Sequence, residues 1–184
     1  MTLDLATVTG HAFGIPGETI TYGSTRMGHP GASPGAKLHA FREWFWDFTE
    51  AHRPLALVFE APFNLAMMSR TDKKNKFMTN EATIRFLFGI VAVAEEAAIA
   101  RRIEIIKEVG VQDVRAHFVG QRTFRQGGRE AAKKATIARC YQLGWTPIDD
   151  NCADALAIWS YAESIFSPRT SAQRQVNAMR GLRA

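Results

Sequence analysis

The sequence predicts an α/β domain in which a mixed central β-sheet is flanked by α-helices. Three observations carry this reading. Strand-like segments come first, and helix and strand patterns then alternate, an order that suits a mixed sheet. The short apolar run Leu55–Phe59, between Pro54 and Glu60, has the character of a buried strand. The 184 residues, 46% of them apolar, are enough for one domain with a substantial core. That domain is expected to span residues 1–166, with a basic, mobile tail over 167–184 that holds four arginines and no acid.

Leu3 to Ile15 reads as an extended segment turning at Gly10. From Glu18 to Arg26, Ile20, Tyr22 and Ser24 alternate with threonines, a strand pattern. Gly28 to Gly35 is a Gly/Pro loop without the spacing of a dinucleotide-binding turn. Ala36 to Ala51 forms a helix with Leu38, Phe41, Phe45 and Phe48 on one face, and Pro54 ends it. After the Leu55–Phe59 strand, Asn80 to Arg101 is a long helix, Ile103 to Val109 a strand and Val111 to Phe118 a short helix. Arg122 to Arg129 is a basic loop, Glu130 to Leu143 a helix, and Asn151 to Phe166 the last helix of the domain, with Asp150 at or near its start.

The formal net charge is +5 and the isoelectric point about 9.5, which favours a polyanionic partner, nucleic acid before an anionic membrane surface. Cys140 and Cys152 belong to no CxxC pair, and the five histidines show no ligand spacing, which argues against a disulfide framework or a structural zinc. No signal-peptide pattern opens the chain, and the longest apolar stretch, Phe86 to Ala94, is too short to span a bilayer. A soluble cytoplasmic protein is the expectation.

Acids in apolar surroundings mark the candidate site. Asp4 sits inside Leu-Asp-Leu-Ala-Thr-Val-Thr-Gly, and Glu60 closes Leu-Ala-Leu-Val-Phe-Glu. Asp150 and Asp154 bracket Asp-Asn-Cys-Ala-Asp at the head of the last helix, four residues apart and on one face. Burying such acids is costly without a counter-charge. Magnesium takes oxygen ligands of this kind, and a pair of ions can clamp a phosphodiester during in-line attack. Taken singly, each acid is better read as a strand end or a helix cap; together, three segments in this order favour a metal site.

These residues resemble RuvC-type Holliday-junction resolvases over roughly residues 3 to 166. Asp4 with Thr9-Gly10, Glu60 at the end of the apolar strand, and Ala153-Asp154-Ala155-Leu156-Ala157 match the family's pattern in order. The resemblance implies an RNase H-like fold and a magnesium-dependent, structure-selective endodeoxyribonuclease that cuts branched DNA. It implies two Mg2+ ions, for which Mn2+ can substitute, held by Asp4, Glu60, Asp150 and Asp154. The position three residues before Asp154 is often acidic in the family and is Asn151 here, so Asp149, Asp150 and Asn151 remain alternatives for the third ligand position. Lys134 is the preferred match to a basic catalytic residue, with Lys133 beside it as a DNA contact. Phe63, three residues after Glu60, matches an aromatic that wedges against junction bases. The resemblance further implies a homodimer acting in DNA recombination and repair, and a phage or prophage origin.

Arg70, Lys73, Lys74 and Lys76 would meet DNA phosphates, as would Arg122, Arg125 and Arg129. Alternatives within the same fold are a nuclease for RNA–DNA hybrids or other DNA ends, and a DNA-binding protein without catalysis. A sugar-kinase-like ATPase needs two such domains, more than this chain holds. The long helix carries two apolar faces, one with Phe86, Ile90, Val93 and Ala97, the other with Ile84, Leu87, Val91 and Ala98. A second subunit is the expected cover for the second face.

Overall fold

The structure, a computed structural model, describes residues 1–60, 81–124 and 126–181. Strands β1 (Thr2–Asp4), β2 (Val8–Phe13), β3 (Thr21–Arg26), β4 (Ala56–Glu60) and β5 (Ile105–Val109) form one sheet in the order β3-β2-β1-β4-β5. β1, β2 and β3 pair antiparallel, while β1, β4 and β5 run parallel, so the sheet is mixed. Among the described residues the helices are α1 (Pro34–His52), α2 (Glu81–Ala100), α3 (Val111–Val119), α4 (Gly128–Gln142), α5 (Asp150–Phe166) and α6 (Pro168–Gly181).

Strand alternation divides the core. In β4, Leu57 and Phe59 join Leu3, Phe41, Phe45, Phe86 and Ile90 on one face of the sheet. Val58 joins Val109, Phe118, Cys152, Leu156 and Trp159 on the other. Leu57, Val58 and Phe59 are at most 1% exposed, and burial of such side chains contributes roughly 1.5–3 kcal/mol each. That is why the short apolar run is a central strand covered on both faces. α1 begins at Ser33, whose hydroxyl accepts the Ala36 amide at 3.2 Å, with Pro34 in the first turn. It stops at Arg53, which adopts a left-handed conformation (φ 44°) just before Pro54.

Three expectations change. The turn between the first two strands falls at residues 5–7, and Gly10 lies inside β2, paired with Asp4 and Ser24. Its glycine answers to packing: a methyl group there would lie 1.9 Å from the Asn151 carbonyl oxygen of α5. The second face of α2 is covered in part within the chain. Val91 and Ala98 are buried with Phe86 and Ile90 in one cluster and Leu87 is half-buried against it, while Ile84 stays half-exposed.

The segment expected to be a mobile tail is largely helix α6, and it is tied down. Arg174 makes two hydrogen bonds of 2.9 Å to the buried Glu163 of α5, and its guanidinium lies 5.3 Å over the Trp145 ring. Glu163 also accepts the Gly17 amide at 3.3 Å. A buried carboxylate stripped of its cation is costly, although Glu163 would keep Gly17. Arg174→Ala is therefore expected to lower stability by about 2 kcal/mol in denaturant titration. Arg174→Lys should restore only part of it, because an ammonium cannot reproduce the two-pronged contact. Among the described residues no helix is long and apolar enough to cross a membrane.

Candidate active site

Two parallel strands deliver the first two acids. β1 and β4 pair with Thr2 beside Val58 and Leu3 beside Phe59, so Asp4 and Glu60 follow at the same end of neighbouring strands. Leu3 and Phe59 point into the first core, so alternation turns Asp4 and Glu60 to the opposite face, where α5 lies. The Thr2 hydroxyl, on that same face, donates to the Ala155 carbonyl of α5 at 2.9 Å and binds the helix to β1. Asp150 and Asp154 project from the first turns of α5.

The Asp149 side chain is committed to the helix cap. One carboxylate oxygen accepts the Cys152 amide at 2.8 Å, and the other accepts the Ser24 hydroxyl at 2.5 Å. Of the alternatives at the third position, Asp150 is therefore the acid with the freer carboxylate. It pairs with Lys133 of α4 at 2.5 Å.

The electrostatics couple the acids through Asp4 and Asp154. Burial holds the Asp4 carboxyl well above the ordinary range, reinforced by repulsion from Asp154, Glu60 and Asp150 and opposed by Arg129. Glu60 is pushed up to about 7 by burial and by Asp154, with Arg115 pulling it back. Asp154 is raised to about 6 by burial, against the pull of Arg115, and Asp150 adds repulsion. Asp150 alone is lowered, chiefly by its hydrogen bond from Lys133. Among the described residues, Asp4, Glu60 and Asp154 have no ion pair, and no three acidic, histidine or cysteine side chains already stand at metal-ligand spacing. The donor set itself suits a hard divalent cation: partly exposed carboxylates from three chain segments, three of them raised by burial and without an ion pair among the described residues.

The cations around the group differ from the expected set. Lys133 reaches Asp150, while Lys134, the next residue, lies exposed on α4 with no ion pair among the described residues. Arg129 bears on Asp4, Asp150 and Asp154. Arg122 is paired with Asp113 at 2.8 Å. Phe63, Arg70, Lys73, Lys74, Lys76 and Arg125 lie outside the described residues. Arg115 is a residue that sequence reasoning missed. It sits one turn into α3, directly after β5, whose Val109 pairs with Glu60. One signal could have found it: a helix that follows a parallel neighbour of the acid-bearing strand starts at the same edge of the sheet. A cavity of about 530 Å³ beside α6, lined by Tyr141, Gln173, Arg174 and Asn177 among others, contains none of the four acids.

No protein-family model and no curated protein matches the chain. Solved structures do. A Thermus thermophilus RuvC structure aligns at 14% identity with a TM-score of 0.51. T. thermophilus RuvC in complex with Holliday junction substrate aligns at 14% identity with a TM-score of 0.55. Each match covers 85% of this chain and 87% of that chain. At this identity the likeness is one of fold, and the chain has the α/β RNase H-like fold of the RuvC structures.

Proposed function

We propose that the protein is a divalent-metal-dependent endonuclease that cuts branched DNA, with four-way junctions as its substrate. The observation that carries this is the register that sets Asp4 and Glu60 at one end of neighbouring parallel strands, on the sheet face toward α5, whose first turns carry Asp150 and Asp154. It occurs in a fold shared with a protein whose solved complex holds a Holliday junction. The carboxylates would hold two Mg2+ ions, which supply activation of the attacking water and neutralisation of the leaving oxygen. Lys133, Arg129 and Arg115 flank the acids with positive charge and would draw in a phosphate backbone without reading its sequence. Phe63, Arg70, Lys73, Lys74, Lys76, Arg122 and Arg125 are proposed to extend that contact along the DNA. A homodimer would place two such sites for paired cuts; this part of the proposal rests on the family resemblance.

The test is cleavage by purified protein of four-way junctions, flaps and RNA–DNA hybrids in Mg2+. Junction cutting well above the others is expected, and selective cutting of hybrids would replace this reading. Sedimentation with and without junction DNA decides the dimer, and a clean monomer would favour single cuts. Lys133 and Lys134 can be separated in the same assay. Lys133→Ala is expected to slow cleavage by about tenfold or more, because it removes the cation that orients Asp150, while Lys134→Ala should stay within about twofold. The reverse order would return the role to Lys134.

A further inference from the structure

One lateral row of the sheet seats the head of α5. Register sets Asp4 beside Gly10 and Gly10 beside Ser24, so the three residues lie in line across β1, β2 and β3. Paired residues of antiparallel strands project to the same face, here the face toward α5. The first turn of α5 runs over this row. The Asn151 carbonyl rests on Gly10, where a side chain would meet it at 1.9 Å. The Ser24 hydroxyl donates to Asp149 at 2.5 Å, and Asp149 in turn accepts the Cys152 amide at 2.8 Å. Asp150 follows the cap directly, and Asp154 comes one turn later on the same face.

A helix held in this way has neither its rotation nor its height free. Each residue turns the helix by about 100°, so a slip of one position would carry Asp150 and Asp154 away from Asp4 and Glu60. Thr2 fixes the helix farther along, at Ala155, and the cap fixes its first turn, where Asp150 sits. We propose that Ser24 and Asp149 are positioning residues: the Ser24 hydroxyl, acting through the Asp149 cap, seats the first turn of α5 so that Asp150 and Asp154 meet Asp4 and Glu60, and thereby sets the affinity of the site for divalent cations. This rests on the metal-dependent reading above and adds two residues that touch neither metal nor DNA.

The experiment is calorimetric titration of the full-length protein with MnCl2, without DNA, for wild type, Ser24→Ala and Asp149→Asn. Ser24→Ala is a small change on a partly exposed strand residue and leaves the core intact. It is expected to weaken Mn2+ binding about tenfold, as loss of an outer partner does at metal sites. Asp149→Asn should stay within about threefold, because asparagine caps a helix as well as aspartate does and its amide can still bond Ser24. Faster exchange of the Cys152 amide in Ser24→Ala should accompany the loss. A lower melting point in Ser24→Ala with Mn2+ affinity unchanged would overturn the proposal and leave a purely structural bond. A loss in Asp149→Asn as large as in Ser24→Ala would also overturn it, by making Asp149 a ligand. Mn2+ binding by a wild type that leaves junctions uncut would overturn the junction reading and keep the positioning role. Equal Mn2+ affinities in wild type and Ser24→Ala beside active junction cleavage would do the opposite.

Discussion

Asp154→Asn is expected to reduce magnesium-dependent junction cleavage by about a thousandfold or more, a loss of roughly 4 kcal/mol in transition-state stabilisation. Junction affinity measured without divalent cations should stay within about threefold, because the phosphate contacts proposed for Lys133, Arg129 and Arg115 would supply the attraction. Asp154 repels both Asp4 and Glu60 and is itself raised by Asp150, so it lies electrostatically at the centre of the group. Asparagine keeps its shape and removes only its charge. Asp4→Asn should behave alike, since the carboxyl of Asp4 is raised by all three of the other acids. Single-turnover rates at saturating Mg2+ are the measurement, and a rate within tenfold of wild type would take that residue out of the site. Asn151→Asp is expected to preserve or raise activity if the Asn151 side chain faces the metal; its backbone already packs on Gly10.

Elements whose character comes from their own residues could be read from the sequence. The Leu55–Phe59 run and the phenylalanine stripe of α1 sit where their periodicities place them, within a residue or two at the ends. Failures came where tertiary contact decides. Gly10 looked like a turn because glycine commonly makes one; here it is required by the approach of Asn151. α6 has the composition of a solvated tail, and its anchor is the buried Glu163, which belongs to another helix. The second apolar face of α2 suggested a partner subunit because nothing local shows that Val91 and Ala98 are buried within the chain's own core. The same division runs through the site. Asp4, Glu60, Asp150 and Asp154 were conspicuous as acids set in apolar segments. Lys133 and Lys134 differ by about 100° around one helix, a phase that neighbouring residues leave open. Ser24 carries no mark of its own, since its role exists only once β3 pairs with β2 and α5 crosses both.

Glu60→Gln is expected to make the metal-free protein more stable than wild type at pH 8 and no more stable at pH 5. Burial and Asp154 push the Glu60 carboxyl from its ordinary 4.5 to about 7 in the folded chain. The folded state therefore holds a proton that the unfolded state has released across the range from about pH 4.5 to 7. The stabilisation from that proton is complete below the unfolded value and is lost as pH rises through the folded one. At pH 5 wild type is protonated and resembles glutamine. At pH 8 it carries a charge that the fold opposes. The charge opposed by burial and by Asp154 is absent in glutamine, which also relieves the repulsion that Glu60 exerts on Asp4, so glutamine should be the more stable side chain there. The gain is read as a higher melting point of Glu60→Gln at pH 8. His11 and His117, whose values are lowered mainly by burial, work in the opposite direction below about pH 6.5, but equally in both proteins, so they cancel in the comparison. Asp150, lowered by Lys133, loses its contribution only on further acidification, below this window. Melting curves of both proteins in chelator from pH 5 to 8 give the answer. If the two differ by the same amount at every pH, Glu60 titrates normally and is not under the strain of its neighbours. If the gain appears and then shrinks or reverses in saturating Mg2+, the charge that weakens the fold is also one that the cation uses.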